Sequence, residues 1–577
     1  MTGLSSEGTS SIMVMRSPRQ LFGRVLLALL ATGSTIACAN QTLLADDAPA
    51  LTSDLPEAPA EFTPVDPEVA LESPAAPAAV PPPVTEQPPM VPPPVLEETA
   101  AAKPAAPKKP AAPKPPPAPF KPMFFNNDFS YKKDPNHKYI FGEELKDMPI
   151  GDYTGWDWMD ESKLSFGGEI RYRYMDERNR LRPGGPGHSN YDLWRWRNYV
   201  DYKFSPQFRA YVEMIDASIF KNELPVTGID KNRWDLQNYF FDYNFLEYDN
   251  RNYFVRVGRQ ELLYGNQRLI SPLDWANTRR NFEGIKVFTP GENWDLDAWV
   301  VNPVNTATPN NGPVDRFDNE FDSRNQDRVF AGSYWTYKAV KNNTFDFYFL
   351  YDRFDSNPAG YPLGERYTPG LRWLGNMPMM GCDGKPERTF HMEVEGAYQG
   401  GHDRGRDVQS GFVTVGAGHT WNAAPWEPSL WMFYDWAAGD SNPTDGHYGT
   451  FFQGYGLVHA YLGLIDNIAR QNIQDINWRF SVKPTQKLQL QTQMHLYYLA
   501  NENDVLYNIT GAPVGTPGIS GGSNDVGQEL DLLATWTFNP NLSVEAGYFW
   551  FWNGTYLQRA APRDHAQMFY LQTTFKY

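Results

Sequence analysis

The chain has 577 residues, 15% of them aromatic, with low mean hydropathy (−0.55) and a formal charge of −17, so it is long enough for several soluble domains or one large barrel, and its acidity argues against nucleic acid as a partner. Two cysteines, Cys38 and Cys382, exclude a disulfide framework. Past the N-terminus no apolar run reaches the roughly 18 residues of a transmembrane helix, so membrane residence has to be by strands.

Taken in chain order, Arg16, Arg19 and Arg24 precede an apolar stretch, 25–31, and a small-residue site, Ala37-Cys38-Ala39. That layout predicts a signal peptide over 1–39 and export. A lipoprotein reading would use Cys38, but Thr35 stands where such a site prefers Leu. Residues 48–119 hold 23 of the 49 prolines, mixed with Ala. This composition cannot bury a core, so 40–119 is expected to be a disordered periplasmic linker. A passive spacer is the simpler role; contact with the cell wall or periplasmic proteins is the alternative. Residues 120–160 are rich in aromatics (Phe124, Phe125, Phe129, Tyr131, Trp156) and are read as a lead-in or plug.

From residue 163 the pattern becomes strict alternation. Leu164, Phe166, Ile170, Tyr172 and Tyr174 share one face, and Ser165, Glu169, Arg171 and Arg173 share the other. A soluble sandwich buries an apolar face, whereas a water-filled barrel puts the charged face inside. The same alternation recurs in seventeen segments: near 163–177, 191–204, 207–218, 233–247, 251–258, 281–289, 293–302, 327–338, 343–353, 388–400, 407–421, 429–438, 472–483, 486–499, 525–538, 541–552 and 565–577. A bacterial single-chain barrel needs an even number. Short turns (290–293, 483–486, 539–541) should lie on the periplasmic side and long loops (303–326, 439–471, 500–524) outside. That parity places one further strand at 365–374, weakened by Pro369, and predicts an all-β fold: a single 18-stranded antiparallel transmembrane barrel over 161–577. Trp194, Trp196, Trp550 and Trp552 are expected at external strand ends and Trp536 and Phe538 at a periplasmic one, as two aromatic girdles. The chain stops in an aromatic strand with Phe575 and Tyr577 on the lipid face.

Between two strands, residues 258–284 (GRQELLYGNQRLISPLDWANTRRNFEG) hold neither period for long. They carry too many aromatics for a solvated loop and too many charges for a core. A polar loop folded into a wet, walled space fits this composition; an ordinary surface loop pinned by Trp275 and Phe282 is the bland alternative. The candidate lining of the substrate path is Arg171, Arg173, Arg195, Arg197, Arg209, Arg256, Arg268, Arg279, Arg280, Lys286 and Arg372, with Glu169, Asp201, Glu213, Glu529 and Asp531. A symmetric hairpin between the first two strands would set Arg173 near Arg195 and Arg171 near Arg197.

GRQELLYGNQRL, DWANTRR and NFEG, with WDLQN at 234–238, HAYLGLIDNIARQNI at 459–473 and VGQELDL at 526–532, resemble the signature of the alginate-export family of outer-membrane β-barrels over roughly residues 160–577. The resemblance implies eighteen strands and alginate-like polysaccharide export.

Catalytic signals are weak. There is no G-x-S-x-G, H-E-x-x-H, Walker loop or CxxC pair. His391, Glu393 and Glu395 share a strand face and are more simply lumen lining than a catalytic or metal cluster; residues 440–446 (DSNPTDG) are more simply a turn than a Ca²⁺ loop. No enzyme activity, metal or cofactor is expected. The leading expectation is an outer-membrane channel passively conducting a hydrophilic, anionic saccharide or small hydrophilic solutes, with lipid as its surroundings. The alternatives are a structural anchor tethered to the cell wall through the Pro-rich segment and a surface glycan-binding sandwich.

Overall fold

The computed structural model describes residues 119–577 apart from 183–184, 306–320, 356–362 and 517–522; the expected signal peptide and, but for Pro119, the expected linker lie outside the described residues. The alternating segments form eighteen long strands: β1 (Lys163–Arg178), β2 (His188–Lys203), β3 (Phe208–Phe220), β4 (Asn232–Tyr248), β5 (Arg251–Gln260), β6 (Phe282–Thr289), β7 (Trp294–Asn305), β8 (Arg328–Tyr337), β9 (Asn343–Phe354), β10 (Gly364–Met380), β11 (Pro386–Asp403), β12 (Arg406–Thr420), β13 (Ser429–Ala437), β14 (Ile473–Thr485), β15 (Leu488–Leu499), β16 (Asp525–Thr537), β17 (Leu542–Asn553) and β18 (Ala566–Lys576). Each pairs antiparallel with the next, and β18 returns to β1 with Glu169 opposite Lys576 and Arg178 opposite Gln567. The sheet is therefore closed and leaves no long edge.

The strand inferred from parity at 365–374 is β10. Pro369 has no N–H to give, and on the β11 side the ladder jumps from Tyr367–Gly400 to Gly370–Ala397. The barrel absorbs that gap because the β9 side stays in register, with Phe349 opposite Pro369.

Both ends of the described chain and most short connections lie at one end of the barrel, the turn end; the long connections lie at the loop end, together with the two-residue turn Arg404–Gly405 between β11 and β12. Alternation works out as charge inside and apolar groups outside. On β1, Glu169, Arg171 and Arg173 are buried inward while Phe166 and Ile170 are exposed outward. Trp536 and Phe538 mark the turn end of the outer face and Trp552 its loop end. Trp194 and Trp196 are exposed too, but inside β2 rather than at its end. The reason is that β1–β4 run on past the apolar band. Beyond Trp194, which touches Tyr172 at 4.8 Å, the outer face turns charged, with Lys221–Asp192 (2.9 Å), His188–Asp176 (3.1 Å) and Arg233–Asp216 pairs.

The stagger of the barrel leaves residues 163–168 of β1 without a β18 partner, and the lead-in covers that edge. Met148 and Pro149 pair with Leu164 and Lys163, Lys146 Nζ donates to the Phe166 carbonyl, and Tyr577 exchanges backbone hydrogen bonds with Gly168 (2.9 and 3.1 Å). Lys146 is 1% exposed, and burial lowers its ammonium to about 8. A lysine whose folded value lies below its unfolded one destabilises the folded form while it stays charged. Docking of the lead-in is therefore expected to tighten as pH rises from about 8 toward about 10.5, by a shift worth on the order of 3 kcal/mol. Protease protection of residues 120–160 across that range should rise in the unaltered chain and stay flat in Lys146→Met; the same profile in both would remove Lys146 as the cause.

The outward position of Phe575 and Tyr577 sets a second expectation. Phe575 meets Phe141 (5.7 Å), and the Tyr577 hydroxyl accepts from Trp196 Nε1 (3.3 Å) and donates to Asn198. None of these contacts reaches the lumen wall. Replacing both with Ser should lower the amount of barrel inserted and leave single-channel conductance unchanged; normal insertion would contradict an assembly role.

Candidate functional site

An 18-stranded barrel is wide enough for an aqueous channel unless something fills it. Three segments do. The connection 261–281 leaves β5 after Gln260, two residues past Gly258, whose φ of 133° and close approach to the Tyr239 carbonyl oxygen exclude a side chain, and folds inward. The connection 438–472, expected as an external loop, also folds back inside, because Val458, Leu462, Leu464, Ile465 and Ile468 need burial and the lumen supplies it. Each such side chain contributes about 1.5–3 kcal/mol. The two segments pair as one unit: Tyr455 N donates to Leu269 O (2.9 Å), Ser271 N to Tyr455 O (3.0 Å) and Leu457 N to Gln267 O (2.8 Å), with Arg280 also donating to Tyr455 O. Trp275 stacks on His459 (3.8 Å, 8°) and donates to Asp466 (2.6 Å). From the turn end, Phe124 and Phe125 of the lead-in enter among Tyr199, Tyr211 and Phe240. Arg279 donates to the Pro122 carbonyl (2.9 Å), so the plugs from the two ends touch.

The arginines line this interior in a register shifted from the hairpin expectation. Arg171 faces Arg195, Arg197 faces Glu169, and Arg173 faces Leu193, because β1 runs to Arg178 and β2 begins at His188, which centres the hairpin on residue 183 rather than 184. Arg195 pairs with Glu169 (2.6 Å) and Asp274 (2.8 Å); Arg197 Nε donates to Glu213 (2.7 Å) and its guanidinium lies 4.0 Å from the Phe124 ring centre. Arg171 and Arg173 form no ion pair among the described residues. Arg171 donates to the carbonyls of Asp274 (2.8 Å) and Ala276 (2.6 Å); Arg173 donates to Gln572 Oε1 (2.8 Å) and the Trp275 carbonyl (2.9 Å) and stacks on Trp275 at 3.7 Å.

Asp274 is the focus of this wall. Its carboxylate pairs with Arg195 (2.8 Å) and Arg279, and Arg171 donates to its backbone carbonyl (2.8 Å). It lies deep in the barrel, yet its side chain is 46% exposed, so it opens onto lumen space.

The other candidate residues are mostly matched. Arg209 pairs with Asp201 (2.7 Å), Arg256 with Asp242 (2.7 Å), Lys286 with Asp297 (2.6 Å), and Arg372 with Asp346 (2.7 Å). Arg268 bridges Glu393 and Glu395 (3.0 Å to the latter), and Arg279 bridges Glu261 and Asp274. Glu393 and Glu395 are thus structural partners, while His391 bonds Asn376 (2.6 Å) and Thr420 (2.9 Å). Asp440 accepts from Asn442 N (3.1 Å), as a turn requires. Glu529 and Asp531 accept from the backbone of Ile465 (2.8 Å) and Leu464 (3.3 Å) on the inward segment. The partners Asp242, Glu261, Asp274 and Asp346 were absent from the candidate list; their signal was an odd acid among arginines, at alternation positions or within the 258–284 stretch.

The family model described as alginate export matches residues 162–571, which is nearly all of the barrel. The chain belongs to the alginate export family. Like that family, it is an outer-membrane β-barrel of the porin kind. No curated protein matches. Solved structures that it is similar to include the outer membrane protein OprD of Pseudomonas aeruginosa (10% identity, 72% of this chain and 93% of that one, TM-score 0.47), OccK5 (OpdH) of the same organism (9%, 71% and 97%, 0.46) and its OpdO (13%, 72% and 97%, 0.44).

Proposed function

We propose that this member of the alginate export family is a passive outer-membrane channel for a hydrophilic, anionic saccharide, held closed by its own inward loops. The turn end faces the periplasm and the loop end the exterior. The observation that carries the reading is Asp274: a carboxylate supplied by the inward connection, not by the wall, sits among Arg171, Arg195 and Arg279. A passing uronate carboxylate has the same chemistry and would meet the same guanidiniums. The wall acids Glu169 and Glu213 keep that attraction moderate, so a bound group can leave. Passage is electrostatic and needs no cofactor or reaction.

The test is reconstitution in planar bilayers. A salt gradient should give a reversal potential on the anion side, and uronate oligomers should block the current more strongly than neutral ones of equal length. Cation preference with no uronate block would contradict it. A second reading, the structural anchor, is favoured by the filled lumen itself: a barrel this full could serve without conducting. Lasting electrical silence, even after the inward loops are removed, would select the anchor.

A further inference from the structure

We propose that Trp299, Tyr334 and Tyr348, on adjacent strands β7, β8 and β9, form a stacking subsite for a pyranose ring on the lumen wall, which Tyr264 of the inward connection occupies while the barrel is closed. The proposal rests on the channel reading above but not on a charge carried by the saccharide.

The rings are laid flat by glycines on the neighbouring strand. Trp299 is opposite Gly332, where a Cβ would fall 2.6 Å from the indole. Tyr348 is opposite Gly370, where a Cβ would collide with the phenol ring. With no side chain beneath them, the two rings lie across the backbone and turn their faces inward. Tyr334 continues the surface, stacked on Tyr348 at 5.5 Å and 5°.

Tyr264 is the occupant. Its ring stacks on Trp299 (4.7 Å, 13°) and on Tyr334 (4.7 Å, 26°), and its hydroxyl donates to Asp297 (2.7 Å). A six-membered ring with a hydroxyl at its edge is what a sugar also presents: an apolar face for stacking and equatorial hydroxyls for hydrogen bonds. Polar groups for the latter stand at the rim in Asp297, Lys286, Asp346 and Arg372. A second observation points the same way. Trp299 is 2% exposed, yet its Nε1–H has no acceptor among the described residues. Buried donors are seldom left so, and a sugar hydroxyl could accept it once Tyr264 withdraws.

The test uses the full chain in detergent and a neutral probe, maltohexaose, followed by isothermal titration calorimetry, with heat-modifiable gel migration as the check on folding. Tyr264→Ala, and Tyr264→Leu as a variant that fills the space without a ring, should tighten maltohexaose binding by about three- to tenfold over the unaltered chain, the fold-change of one stacked ring. Adding Trp299→Leu should erase the gain. Equal binding in the unaltered and Tyr264 variants, or a gain that survives Trp299→Leu, would overturn the subsite. The channel reading would then still stand on its reversal potential, because maltohexaose carries no charge.

Discussion

Replacing residues 262–280 with a short Gly/Ser turn is expected to raise single-channel conductance several-fold while heat-modifiable migration persists. The connection contributes no strand to the ladder: β5 ends at Gln260 and β6 begins at Phe282, and their pairing does not need what lies between. What it does contribute is occlusion. Without it, Arg171 and Arg173 lose only carbonyl and stacking partners and can turn to water, and the 438–472 segment loses its backbone bonds to Leu269, Ser271 and Gln267. Recordings before and after the deletion check this. Unchanged conductance would mean that the 438–472 segment and the lead-in close the barrel alone.

The arginine wall supplies the second large effect, and the structure divides it in two. Arg171→Gln with Arg173→Gln removes two charges without stranding an acid, since neither has a carboxylate partner among the described residues. This pair of changes should move the reversal potential toward cations and weaken uronate block, with little loss of thermal stability. Arg195→Gln with Arg197→Gln removes the same charge but strands Glu169 and Glu213, both 2% exposed or less. Breaking a buried pair from one side costs about 3–5 kcal/mol, so this second variant should melt measurably earlier. Equal selectivity in all three proteins would make the wall purely structural.

Which parts of this were readable in the sequence follows from periodicity. A lumen-and-lipid strand announces itself every second residue, so Leu164–Tyr174 and even β10, with its proline, were legible. Register was not: Arg171 meets Arg195 because of where the β1–β2 connection bends, and no alternation encodes that. The charge-and-aromatic mixture of 258–284 did signal an inward path. The 438–472 segment was missed because its length as a connection placed it outside; Val458, Leu462, Ile465 and Ile468 are buried in irregular chain, which carries no strand period to mark them. The flat rings of Trp299 and Tyr348 depend on glycines one strand away, Gly332 and Gly370, and a pairing must be known before such a relation can be seen.

The measurement that bears most directly on an anion path closed by its own loops is the reversal potential of the 262–280 replacement in a potassium chloride gradient. The account predicts an open barrel whose potential lies on the chloride side and shifts toward potassium when Arg171→Gln and Arg173→Gln are added. A barrel that stays silent, or one that opens with cation preference, would contradict it.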